Sequence, residues 1–198
     1  MRREQNIADS FYALRFTIYV LRRIGLVAGD EIMNLYILRH GIAVEHGAAG
    51  YENDDERPLT GKGERKMWSI AEAIKALGIS FDAILSSPLV RAHQTAEIVA
   101  ESLKCKKRLE LTDTLSPQPS AKPLIEYLQE QGAIDDVLLV GHEPFLSQFI
   151  SLLISGDTET SVLLKKGGFC KISTDHLKQG KCATLEWLLT AKQMELMA

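Results

Sequence analysis

The chain has 198 residues, 45% of them hydrophobic, with 23 Lys and Arg against 26 Asp and Glu, giving a net charge of −3 with neutral histidines. That length and apolar content suffice for one domain with a buried core, and the slight acidity argues against the basic face of a nucleic-acid binder. Three cysteines, Cys105, Cys170 and Cys182, form no C-x-x-C pair and leave an odd count, so neither a disulfide framework nor a zinc site is indicated and a reducing, cytoplasmic setting is expected.

The first thirty-two residues stand apart. Arg2, Arg3, Arg15, Arg22 and Arg23 surround two apolar stretches, Phe11–Leu14 and Phe16–Leu21, and this interruption by charge excludes a membrane span. Glu4 and Asp9 are atypical of a targeting peptide, and no small-residue cleavage site is clear. Met33 stands immediately before the first strand, so residues 1–32 are read as a poorly packed upstream extension, such as a misassigned start codon would produce.

The first predicted strand is the apolar run Leu35-Tyr36-Ile37-Leu38, and it delivers Arg39-His40-Gly41 at its end. Packing explains these three poorly. Arginine presents a planar, permanently charged fork that matches phosphate oxygens, imidazole offers a nitrogen able to attack phosphorus, and glycine lets the backbone approach a ligand. A helix follows Thr60, with Met67, Ile70, Ile74 and Leu77 on one face.

Next, Phe81-Asp82-Ala83-Ile84-Leu85 reads as a strand running into Ser86-Ser87-Pro88-Leu89-Val90-Arg91. Ser87 fits an N-cap and Pro88 a first helical position, after which Leu89, Ala92, Ala96, Val99 and Leu103 recur at helical spacing. Arg91 lies off that stripe in the first turn. His93, near the stripe, reads as a packing or solvent-facing residue, and Lys104–Arg108 as a solvated C-terminal turn; His46 and His176 have no motif around them.

Leu124–Leu128 opens a further helix, and Val137–Val140 is a strand running into Gly141-His142-Glu143-Pro144. Pro144 can open a helix whose core face is Phe145, Leu146, Phe149, Ile150 and Leu153. Leu146 occupies the last position of a would-be H-E-x-x-H, so neither metal nor cofactor is expected. Phe169–Ser173 and Ala183–Leu188 alternate as strands about a Gln179-Gly180 turn. Three strands thus place polar groups just beyond their C-terminal ends, the edge at which open α/β sheets bind ligands.

Taken together, Leu38-Arg39-His40-Gly41, the run Ser86-Ser87-Pro88-Leu89-Val90-Arg91-Ala92 with Gln94-Thr95-Ala96, and Val140-Gly141-His142-Glu143-Pro144 resemble the histidine phosphatase superfamily, which includes phosphoglycerate mutases and many phosphatases. Asp54-Asp55-Glu56-Arg57-Pro58-Leu59-Thr60 with Gly63 is similar to the small phosphohistidine phosphatases of the SixA type. The resemblance spans residues 33–190, leaving 191–198 as a C-terminal tail. It implies an α/β fold: a three-layer αβα sandwich around a mostly parallel, doubly wound sheet, without a large lid insertion.

The resemblance also implies roles. His40 would be the nucleophile that carries a covalent phosphoryl group, while Arg39, Arg91 and His142 would bind the substrate's phosphoryl oxygens. His40 would need a neutral attacking nitrogen, with its other nitrogen held by an acceptor such as a backbone carbonyl, and His142 would serve best as a cation. Related enzymes place an acidic glutamate between the second strand's helix and the His142 strand; residues 111–120 offer no obvious equivalent. Glu143, Asp113 or a member of the Glu52, Asp54, Asp55, Glu56 cluster remain as general-acid candidates.

A leaving imidazole needs less acid assistance than an alkoxide. The missing acid therefore favours a phosphoramidate, and the resemblance implies a protein phosphohistidine of the histidine-phosphotransfer type, reached through an open site. The alternatives are a small-molecule phosphomonoesterase or mutase of the same superfamily, or a non-catalytic module that binds phosphorylated ligands. The oligomeric state is not legible in the sequence.

Overall fold

A computed structural model describes residues 32–118, 120–131 and 134–198, so the extension expected over residues 1–32 lies, but for Ile32, outside the described residues. Six strands form one sheet: β1 (Met33–Arg39), β2 (Ala83–Ser86), β3 (Leu109–Leu111), β4 (Asp136–Gly141), β5 (Phe169–Thr174) and β6 (Thr184–Leu189). Their order is β3-β2-β4-β1-β5-β6. The first four run parallel, while β5 and β6 add an antiparallel hairpin on the β1 side.

Strand alternation divides the apolar residues between two faces. Tyr36 and Leu38 of β1, Ile84 of β2, and Leu138 and Val140 of β4 pack on one side against helices α1 (Gly61–Ala76) and α2 (Val90–Ser102). Leu35 and Ile37, Leu85, and Val137 and Leu139 pack on the other side against α3 (Lys122–Glu130) and α4 (Phe145–Ser155). The result is the αβα sandwich with a mostly parallel sheet. Among the described residues no helix is long and apolar enough to cross a membrane.

Three expectations shift. Helix α2 starts at Val90 instead of Pro88, because Ser87 is buried and its Oγ is engaged below the helix, leaving Leu89 as an N-cap without a side-chain bond. Leu77, assigned to the core face of α1, follows the end of that helix and is 47% exposed. Residues 191–198, read as a tail, include the short helix α5 (Ala191–Glu195), started by a reciprocal Thr190–Gln193 capping box. Met194 is fully buried in the α1 face, and Glu195 pairs with Lys66 at 2.8 Å; a single apolar anchor is too little to register as periodicity.

Candidate active site

The chain leaves β1 through Arg39 and His40, whose backbone is tied down on both sides. His40 N donates to Gly141 O at the end of β4, at 3.1 Å, and Gly167 N donates to the carbonyls of Arg39 and His40 at 3.0 and 3.2 Å. Thr95 on α2 fixes the next residue: its Oγ1 accepts from Gly41 N at 3.1 Å and donates to Arg91 O at 2.7 Å. One buried hydroxyl therefore couples the His40 loop to the helix that carries Arg91. A Cβ at Gly41 would stand 2.8 Å from Met67 Cγ and 3.2 Å from Leu59 Cδ2, so a side chain there would force Met67 on α1 to shift.

His40 is 6% exposed, and its Nδ1 lies 2.8 Å from Gly41 O. A carbonyl only accepts, so that contact puts the ring proton on Nδ1 and leaves Nε2 with its lone pair free. Burial, then the nearby His142, Arg91 and Arg39, push the His40 pKa down to about 3, against a smaller opposing effect of the Gly41 carbonyl. The backbone acceptor required of a nucleophilic histidine is thus present, and the ring is neutral at physiological pH.

The ring of His142, 2% exposed, sits with its centroid 5.0 Å from that of His40. Its Nε2 is 2.8 Å from Ser87 Oγ, which also accepts from Leu89 N at 3.3 Å. Ser87 is fully buried, so its hydroxyl must donate somewhere, and His142 Nε2 is the acceptor beside it. This assigns the His142 proton to Nδ1. Burial first, then Arg91, lower the His142 pKa to about 3 despite the opposing charge of Asp54. The cation expected of His142 is therefore not the form the unliganded site favours, because two guanidinium groups already occupy a desolvated site; His142 is a neutral N–H donor.

Arg91, 4% exposed, is gripped from the β1–α1 loop, donating Nη1 to Asp54 O at 2.7 Å and Nη2 to Asp54 Oδ2 at 2.9 Å. The other oxygen of Asp54 binds Arg57, with Nε at 2.8 Å and Nη2 at 2.7 Å. Arg39 donates Nη1 to Leu164 O at 2.9 Å. Among the described residues, the buried side-chain polar atoms without a partner are Arg39 Nε, Arg91 Nε and His142 Nδ1. An orphaned buried donor costs on the order of 1–3 kcal/mol, and here all three belong to the residues around His40.

The proposed acids fare differently from those four. Asp54 is an ion-pair partner: partial burial raises its pKa, but the Arg57 hydrogen bond and the Arg91 charge outweigh this and hold it below the ordinary carboxylate value. Glu143 accepts from Ser147 N at 3.1 Å and Ser147 Oγ at 2.6 Å, capping the first turn of α4. Asp113 is exposed on a single 3-10 turn and bonds to none of the four. Asp55 and Glu56, which follow Asp54 in sequence, are exposed, and Glu52 accepts from the Gly50 amide. No Asp or Glu among the described residues is buried.

Sequence reasoning missed four supports: Ser87, Thr95, Arg57 and the Leu164 carbonyl. Thr95 was detectable, since it lies one helical turn beyond Arg91, the spacing at which a threonine bonds back to the i−4 carbonyl. Ser87 looked like a cap. The Leu164 carbonyl has no side-chain signature at all. His93 faces outward, 3.6 Å from Glu97, and among the described residues no cluster of three His, Cys, Asp or Glu could hold a metal.

Residues 35–116 match the family described as the histidine phosphatase superfamily, branch 1. The chain is 38% identical over 138 residues to an uncharacterized protein of Picosynechococcus sp. (strain ATCC 27264 / PCC 7002 / PR-6), covering 69% of this chain and 82% of that one. It is 26% identical over 166 residues to the phosphohistidine phosphatase SixA of Escherichia coli K12, covering 83% of this chain and 98% of the other. A solved structure of the protein histidine phosphatase SixA complexed with tungstate superposes with a TM-score of 0.69 at 27% identity, covering 81% of this chain and 98% of that one.

Proposed function

The chain belongs to the histidine phosphatase superfamily, and from that premise we propose that it dephosphorylates phosphohistidine on a protein through a covalent phospho-His40 intermediate, without a metal. The observation that carries this reading is the set of three partnerless buried donors, Arg39 Nε, Arg91 Nε and His142 Nδ1, around a histidine whose Nδ1 is held by a backbone carbonyl. A phosphoryl group seated over His40 would give each donor an acceptor.

The His40 Nε2 lone pair attacks phosphorus, and the P–N bond to the substrate imidazole breaks. The bonding pair stays on the departing nitrogen, which takes up a proton from solvent water. Water then attacks phospho-His40, returning the ring and releasing inorganic phosphate. Arg39, Arg91 and the His142 N–H hold the equatorial oxygens throughout, so the protein contributes mainly position and fixed charge.

The choice of phosphohistidine over an alkyl phosphate rests on the carboxylates. An alkoxide leaving group calls for an acid whose pKa burial has raised toward neutrality, whereas imidazole nitrogen is itself basic. Asp54 is spent on two arginines and Glu143 on a helix cap. Likeness to the SixA protein supports the same choice.

Incubation with a phosphorylated histidine phosphotransfer domain is expected to release phosphate. His40→Ala is expected to abolish release while keeping the fold. Full turnover by that variant, or a preference for alkyl phosphates over phosphoramidates, refutes the reading.

A further inference from the structure

Beside the phosphoryl site the surface is grooved. A hollow of about 360 Å³ starts at Pro144, two residues past His142, runs along Ser147 and Gln148 on the first turn of α4, and ends under Val162 and Leu163. Its outer wall is the segment before Leu164, the residue whose carbonyl accepts from Arg39. A second hollow of about 150 Å³ shares Gln148 and Thr158 with the first and continues past Phe149 to Gln179. The relief therefore runs from the edge of the catalytic residues across α4.

The lining indicates what such a furrow can hold. Its side chains are largely uncharged hydrogen-bonding groups, Glu159 is the one charge in the larger hollow, and no Lys or Arg lines either hollow; a second phosphate or an acidic metabolite would find no cation there. Gln148 is exposed, and its side chain is hydrogen-bonded to none of the described residues. Leu163 is 72% exposed and precedes the residue whose carbonyl accepts from Arg39. Amide and hydroxyl groups with an isolated apolar rim suit a peptide backbone and its side chains. The volume, at the low end for enclosed metabolite sites, is here spread along an open surface.

We propose that this furrow seats the polypeptide that flanks the phosphorylated histidine, so that the substrate is selected by a docked protein segment and not by the phosphoryl group alone. The proposal rests on the phosphohistidine reading above. Gln148 and Leu163 are the contact residues, and the side chain of neither is hydrogen-bonded to Arg39, His40, Arg91 or His142.

The test compares two substrates of wild type, Gln148→Trp, which fills the furrow, and Leu163→Asp, which places a charge on its rim. The substrates are a purified phosphorylated histidine phosphotransfer domain and the small anion phosphoramidate. Each variant is expected to lose about tenfold in kcat/KM on the protein, the scale of one good contact, while phosphoramidate hydrolysis stays within about twofold and shows the variant to be folded. Unchanged rates on the protein, or equal losses on both substrates, overturn the furrow alone. Wild type that cleaves phosphoramidate but not the phosphoprotein overturns the phosphohistidine-protein reading and the furrow with it.

Discussion

Ser87 and Asp54 do for His142 and Arg91 what the Gly41 carbonyl does for His40: each settles the orientation of a side chain assigned to the proposed phosphoryl site. Removing the Ser87 hydroxyl leaves His142 Nε2 buried without a partner and frees the ring to change tautomer. Ser87→Ala is expected to lower kcat/KM by about tenfold, mostly through a higher KM, with the folded state retained; steady-state kinetics and the imidazole nitrogen chemical shifts report the two effects separately. Asp54→Asn removes the charge that offsets Arg91 and Arg57. Since the Asp54 side chain is 36% exposed, screening limits the stability loss to about 1 kcal/mol, and a larger effect is expected on activity, because Arg91 keeps the Asp54 backbone carbonyl but loses the charged half of its anchor. Retention of both wild-type activity and wild-type stability in Asp54→Asn would show that the Arg57–Asp54–Arg91 chain is incidental.

At the level of elements, the loop that carries His40 is held by the start of α1. Thr60 N donates to Ile42 O at 2.9 Å, Thr60 Oγ1 donates to the same carbonyl at 3.2 Å, and Gly63 N donates to Thr60 Oγ1 at 3.0 Å. The Thr60 cap thus grips the residue two beyond His40. A Cβ at Gly63 would stand 2.0 Å from Ile42 O, a backbone atom that cannot swing aside. Gly63→Ala is expected to cost about 1–3 kcal/mol, as overpacking does, despite the better helix propensity of alanine, and to lower activity by shifting Ile42 and with it the His40 loop. Chemical denaturation and kinetics on the same preparation check both; a more stable, fully active variant would contradict this coupling.

For the whole molecule, two buried neutral histidines make folding sensitive to acid. Free histidine titrates near 6.5, while His40 and His142 are held down to about 3. Between those values the unfolded chain binds protons that the native chain does not, so stability is fully present above about 6.5 and is lost as pH falls toward about 3. The urea midpoint is expected to drop between pH 7.5 and pH 5.0, and to drop less in His142→Asn, which removes one of the two groups. If the proposed site holds an oxyanion, millimolar tungstate or phosphate is expected to raise the midpoint at pH 7.5, since a ligand of the native state alone stabilises it; an unchanged midpoint would argue against an oxyanion site at His40.

Much of this protein is legible in its residues alone. The apolar runs ending in Arg39-His40, Ser86-Ser87 and Gly141-His142 disclose three parallel strands, because burial on both faces demands continuous apolar sequence and the polar residues that break it must lie at the sheet's edge. The helix faces follow from periodicity in the same way. Tertiary structure alone decided how those groups are charged and held. His142 is a neutral donor because burial, and then Arg91 from 51 residues away in the chain, lower its pKa, and Asp54 is a partner of Arg91 because a loop folds back over α2. Side-chain types fix what a group can do, but its protonation and its partner depend on the dielectric and the neighbours that only folding brings within a few ångströms.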